Sequence, residues 1–262
     1  MKKLFTFFCA AVLVATAVFA DNDLPLIAVD GDFADWGALN PASIAEASTD
    51  ENARDESLYN MKFTRDADYI YFYFEFSGTA DEVSVFEIMM NVDGDVATGH
   101  DSWMWSQSGI EYLIEGAAED LSEAGLFIFT GATPDAWAWG ETGVYEFLQA
   151  SAVQTLGNGH HAIEGTISRS ALPATMQSLQ VGVFANDSEW ATSGSLPQVT
   201  IDPESGSDIL QPMLDVPVYE IPSSIGNVVS MQDSKVQKVV RNGNLYILRG
   251  DKTYTLHGQE VK

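Results

Sequence analysis

The sequence predicts an all-β fold: a two-sheet antiparallel β-sandwich of jelly-roll type, followed by a small C-terminal β-hairpin module. Three observations carry that reading. Short runs rich in aromatic and branched residues recur between residues 69 and 187, each closed by Gly, Asp, Asn or Ser. One of them, "YIYFYFEF", alternates strictly: Ile70, Phe72, Phe74 and Phe76 share one face, and Tyr69, Tyr71, Tyr73 and Glu75 share the other. Only "SRSALPATM" (168–176) reads as a short helical turn, with a serine at its start.

Taken in chain order, residues 1–20 carry two lysines, an apolar stretch from Leu4 and small residues up to Ala20, the layout of a secretory signal peptide. No later run approaches the roughly 18 apolar residues of a membrane span, so the protein is expected to be exported to the extracellular space or cell surface without membrane insertion. Cys9, the single cysteine, lies inside that leader, so disulfides, thiol nucleophiles and thiolate metal sites drop out of the mature chain.

The sandwich is placed at 21–201. In the Tyr69 run the phenylalanine face is core, and the tyrosine face is a covered layer, an edge or a ligand platform. Further strands are expected at 84–92, 109–116, 125–131, 160–168 and 179–187. From Asp202 the texture changes: four prolines and several small polar residues up to Pro222 read as a linker over 202–229. Turn signals at Asn242-Gly243, Gly250-Asp251 and His257-Gly258 then divide 230–262 into three small hairpin strands.

Charge follows the same division. Residues 21–229 hold 35 Asp and Glu against four basic residues, a net of −31, whereas 230–262 hold six basic and three acidic residues, a net of +3. A body this acidic repels phosphate backbones and anionic lipid, which excludes nucleic acid as a natural partner and attracts cations.

Four pieces in order, "LPLIAVDGDFADWGAL", "DADYIYFYFEF", "NVDGDVATGH" and "GIEYLIEG", resemble carbohydrate-binding module family 9 and the related DOMON-like sandwiches over about residues 24–200. The resemblance implies a β-sandwich that binds a glycan or polysaccharide without catalysis, with two aromatic rings around a terminal sugar and Trp36 buried. The segment "KVVRNGNLYILRGDKTYTLHGQEVK" is similar to the C-terminal sorting modules of type IX secretion cargo, which implies the export machinery as a partner.

Two sets of side chains are candidates for chemistry. In "NVDGDVATGHDSWMW", Asp93 and Asp95 flank Gly94 at a strand end, and the spacing departs from an EF-hand at Thr98 and Met104. The loop reads as a Ca2+ site formed by Asp93, Asp95 and Asp101, with Glu111 added from the next strand by the resemblance, or as an aspartate-rich turn capping its own backbone. Trp103, Trp105, Trp137, Trp139 and Trp190 lie in expected loops, where flat rings can stack on sugar faces. Trp103, Trp139 and Trp190 are the expected carbohydrate contacts; the alternative is that the rings cap a structural or adhesive sandwich with no sugar site. DOMON-like relatives also include haem binders, but Met89, Met90 and Met104 near His100 read as core. No nucleophile elbow, phosphate loop or dinucleotide fingerprint is present.

Overall fold

The alternating run at Tyr69 becomes a central strand of the first of two facing sheets, because its phenylalanine face has a second apolar sheet to bury against. The structure is a computed structural model that describes residues 26–49, 57–78 and 82–219 and the strands at 236–241, 244–249, 252–255 and 260–261. The leader expected at 1–20 lies outside the described residues. The chain divides into two units, Met1–Tyr219 and Glu220–Lys262.

In chain order the first unit opens with α1 (Ala34–Ala38), β1 (Ala45–Ser48), β2 (Leu58–Arg65) and β3 (Tyr69–Phe76). Next come β4 (Val85–Asn91), β5 (Trp105–Ser106), β6 (Tyr112–Ala117), β7 (Gly125–Phe129) and β8 (Trp139–Glu141). They are followed by β9 (Leu148–Ala150), β10 (Gln154–Thr155), β11 (His161–Ser168), β12 (Gln180–Asn186) and β13 (Thr192–Leu196). Short pieces close the unit: β14 (Thr200–Ile201), β15 (Asp208–Ile209), β16 (Gln211–Pro212) and β17 (Leu214–Asp215).

Sheet one runs β1-β2-β3-β11-β10 with β9 also on β11, and sheet two runs β13-β12-β4-β6-β7-β8 with β17 on β12. Every pair within these two sheets is antiparallel. Phe63, Phe72 and Phe74 of sheet one share a single core with Phe86, Ile88, Ile114 and Val183 of sheet two. Phe74 and Phe86 bridge the layers, their ring centroids 5.1 Å apart.

Both outer faces are partly covered as well. Tyr71 and Tyr73 are buried beneath Ile27, Trp36 and Leu39, so the tyrosine face of β3 is a second packed layer. On the far side of sheet two, Met89, Leu113 and Phe184 lie under Met104, Trp105, Val199 and Met213, which arrive from connecting loops. Met90 packs in the main core. The expected helical turn after β11 is a single 3-10 turn, Arg169–Ala171.

Of the linker expected over 202–229, residues 220–229 lie outside the described residues. Residues 202–219 belong to the first unit: β15 pairs with β14, β17 pairs with β12, and Val216 reaches the main core. Buried Arg65 fastens the segment by donating to the Val216 carbonyl at 3.2 Å and the Gln177 carbonyl at 3.0 Å. Prolines obscured this in the sequence, because short edge pieces joined by single ladder contacts leave no periodicity to read.

The second unit contains four described strands where three were expected: β18 (Val236–Arg241), β19 (Asn244–Arg249), β20 (Lys252–Thr255) and β21 (Glu260–Val261). They form one antiparallel meander in chain order.

Candidate functional site

The loop that leaves β4 is shaped by its own aspartates. Asp93 Oδ1 accepts from the Asp95 amide at 2.7 Å, and Asp95 Oδ1 accepts from the Ala97 amide at 2.9 Å, two successive Asx turns. Gly99 has φ +72°, and a Cβ there would sit 2.4 Å from the Ile110 carbonyl oxygen. That close approach lets His100 and Ile110 exchange both backbone hydrogen bonds, at 2.7 and 2.8 Å, which lays the loop back along the sheet. A second loop, between β7 and β8, is tied to the first by the Asp101 amide donating to the Pro134 carbonyl at 2.7 Å.

Where these two loops meet, aromatic rings gather around His100. Its ring centroid lies 5.3 Å from Trp137, 5.7 Å from Trp139, 5.8 Å from Phe129 and 6.2 Å from Trp103. Trp137 in turn contacts Trp103 at 5.5 Å and Trp139 at 5.6 Å, with ring planes inclined at 51° and 77°. Trp103 and Trp137 remain 56 % and 47 % exposed, so the cluster has an open side. Inclined rings form a cup, where parallel ones would form a flat platform.

His100 itself is 1 % exposed. Burial pushes its pKa down, against the opposing pull of the Pro134 and Ala136 backbone oxygens and the Asp101 and Asp135 carboxylates. Both imidazole nitrogens are buried without a hydrogen-bond partner, as is Trp139 Nε1. The imidazole stands nearly perpendicular to three indole rings, at interplanar angles of 70°, 79° and 83°.

The remaining tryptophans lie elsewhere. Trp105, two residues beyond Trp103, is fully buried: it stacks on Phe184 at 4.6 Å and donates from Nε1 to the Pro197 carbonyl at 2.9 Å. Its expected place in a loop is therefore corrected to the packed outer face of sheet two. Trp190 is 58 % exposed in the turn between β12 and β13. That turn follows Asn186, which pairs with the first residue of β4, whereas the cluster hangs from the loop after the last residue of β4. Of the three expected sugar contacts, Trp103 and Trp139 thus meet in one cluster and Trp190 lies at the opposite end of the sheet. Trp137 completes the cluster; the signal for it was the "WAW" spacing, which in an extended chain puts Trp137 and Trp139 on the same side.

The four expected cation ligands also separate. Thr98 Oγ1 lies 3.2 Å from Asp93 Oδ2 and 2.8 Å from Glu111 Oε1, so those two carboxylates converge. Asp95 contributes only its backbone oxygen, 3.0 Å from the same hydroxyl, its side chain being held by Ala97. Asp101 turns toward Ser108, 3.5 Å away. Among the described residues no group of three His, Cys, Asp or Glu side chains converges as metal ligands would. A calcium ion there would draw on the Asp93 and Glu111 carboxylates, the Thr98 hydroxyl and the Asp95 carbonyl, all of them oxygen ligands of the kind it takes.

Beside the ring cluster is a cavity of about 320 Å³, walled by Val92, Tyr112, Ile128, Phe129 and Met176, with Asp93 and Glu111 in its lining. Phe129 belongs to both features, since its other contacts are His100 and Trp139. Burial pushes the Glu111 pKa up, as does Asp93, although the Val92 amide donates to it at 2.8 Å.

A second carboxyl pair, Glu87 and Glu115, sits directly cross-strand on the outer face of sheet two. Glu87 is buried and accepts from Asn186 Nδ2 at 3.2 Å. Burial first, and then the charge of the neighbouring Glu115, push its pKa up to about 7.

Comparison with protein-family models, with curated proteins and with solved structures finds no match for this chain.

Proposed function

We propose that this is an exported, non-catalytic carbohydrate-binding protein whose ligand stacks on the cup formed by Trp103, Trp137 and Trp139. The observation that carries the reading is the contact of three tryptophans at solvent, two of them about half exposed. A contiguous aromatic patch on a water-facing loop costs hydrophobic free energy unless something covers it, and the C–H faces of sugar rings are suited to do so. Polar groups that would fix hydroxyls stand close by in Asp101, Asp135 and the carboxylates of the adjoining cavity.

Non-catalytic binding is supported by what the carboxylates already do. Glu87, cross-strand from Glu115, is buried in the sheet and held by Asn186 Nδ2 at 3.2 Å, away from any cleft that could admit a glycosidic bond between two carboxylates. The C-terminal unit, with its basic balance and its own antiparallel meander, is the part read by the export machinery. A glycan array with the wild-type protein beside Trp137→Ala tests the binding reading. Glycans that light up the wild type and fade in the variant are expected; an array dark for both would favour a structural or adhesive role.

A further inference from the structure

We propose that the tryptophan cup takes uncharged glycans and rejects uronate-bearing and sulfated ones, through a rim of three carboxylates, Asp101, Asp135 and Glu141. This rests on the sugar-binding reading of the cup and adds the chemical class of its ligand.

The cup is marked as a ligand site by something other than charge. Two indoles about half exposed to water stand over the His100 imidazole and Trp139 Nε1, polar groups buried without hydrogen-bond partners. Around it, each indole has an acidic residue two positions away: Asp101 precedes Trp103, Asp135 precedes Trp137 and Glu141 follows Trp139. Trp139 and Glu141 are the two ends of β8, where side chains two apart share one face of the sheet. Asp101 and Asp135 lie on the two loops that the Asp101 amide ties together, and both act electrostatically on His100 at the centre of the rings. All three acidic residues are exposed. A hydrogen bond from the Thr133 side chain holds Asp135 below the usual carboxylate range, so it stays charged.

The basic residues are committed elsewhere. Among the described residues of the first unit, lysine and arginine are limited to Lys62, Arg65 and Arg169. Lys62 pairs with Glu46 at 3.4 Å on sheet one, Arg65 is held by the Val216 and Gln177 carbonyls, and Arg169 donates to the Pro173 and Met176 carbonyls at 3.0 and 2.7 Å. His100, 1 % exposed, is too deep to meet an anion at the rim. An anionic substituent brought to the cup would therefore lose water and face carboxylates alone. A carboxylate can only accept hydrogen bonds, and so can a uronate or a sulfate, whereas a sugar hydroxyl donates. The same three side chains thus accept from a neutral sugar and repel a charged one.

The test is a glycan array that carries neutral oligosaccharides beside uronate and sulfated counterparts of the same linkage and length, read with the full chain over a concentration series in the presence of a chelator. Wild-type protein is expected to bind the neutral members about ten-fold or more tightly than their acidic counterparts. Asp101→Asn, Asp135→Asn and Glu141→Gln combined should close most of that gap. Glu119→Gln, Glu123→Gln and Glu189→Gln combined make the same charge change at exposed positions on the opposite end of sheet two, and should leave the gap intact. Melting curves confirm that both variants fold. A gap that survives in the rim variant, or that closes equally in the distant one, overturns the inference, because the negative charge of the whole body would then explain it. Acidic glycans that bind once calcium replaces the chelator, and are lost again in the rim variant, overturn it by making the carboxylates a metal bridge. Trp137-dependent binding of neutral and acidic glycans alike would sink this inference and leave the sugar reading standing. An array dark for every glycan would sink both.

Discussion

Trp36 and Glu164, 128 positions apart, meet through a hydrogen bond in which the indole Nε1 donates to Glu164 Oε2 at 3.1 Å. The same carboxylate accepts from the Asp30 and Gly31 amides through Oε1, at 3.3 and 2.9 Å. One fully buried side chain on β11 thus clasps the opening segment over the tyrosine face of sheet one. Glu164→Ala would strand three donors and open a void, and is expected to cost about 3–5 kcal/mol. Trp36→Phe removes one donor and part of a ring, for about 1–2 kcal/mol. Urea unfolding of both variants checks the order; a Glu164→Ala cost near zero would mean that the clasp does not hold the segment.

Glu87 makes stability fall as pH rises. Its folded pKa is raised to about 7, while the unfolded side chain titrates near the ordinary glutamate value of 4.5. The folded state therefore holds a proton that the unfolded chain has released. The resulting stabilisation is complete below the unfolded pKa and is lost as pH climbs through about 7, an effect on the order of 3 kcal/mol. Denaturant midpoints between about pH 5 and pH 8 should decline for the wild type and flatten in Glu87→Gln. A slope unchanged by that substitution would place the titration elsewhere.

Gly182 leaves room for an indole. A Cβ on it would lie 2.6 Å from two ring atoms of Trp105, which is packed between Gly182 and the Pro197 carbonyl it donates to. Gly182→Ala should displace that ring and cost about 1–3 kcal/mol. The companion observable is a red-shifted tryptophan emission as Trp105 gains contact with water. Wild-type stability and emission would show that the ring moves freely aside.

Trp103 and Trp105 should respond oppositely to truncation. Trp105→Ala removes a fully buried ring and is expected to cost about 3–5 kcal/mol. Trp103→Ala, at a ring more than half exposed, should change stability by less than about 1 kcal/mol while weakening glycan binding. Thermal melts paired with a binding assay separate the two outcomes.

These contrasts mark how far the sequence can be read. Phe72 and Phe74 were legible as core because strand alternation is a local rule, and both are fully buried. Tyr71 and Tyr73 were ambiguous because their cover comes from residues 26–40, an aperiodic segment joined to them only through tertiary contacts. Trp103 and Trp105 are the same residue type two positions apart in one connection, and the glycine under Trp105 lies 77 positions further along the chain. Trp190 parted from the other exposed tryptophans because strand register decides which end of a sheet a loop occupies, and register follows from pairing. His100 offered no signal at all: its surroundings are assembled from two loops and an edge strand.

The most direct test is a calorimetric titration of wild type, Trp137→Ala and Trp190→Ala with the best glycan from an array. A sugar seated in the cup predicts wild-type binding that weakens about ten-fold or more in Trp137→Ala and is unaltered in Trp190→Ala. Binding that survives Trp137→Ala, or no glycan bound by the wild-type protein, would contradict it.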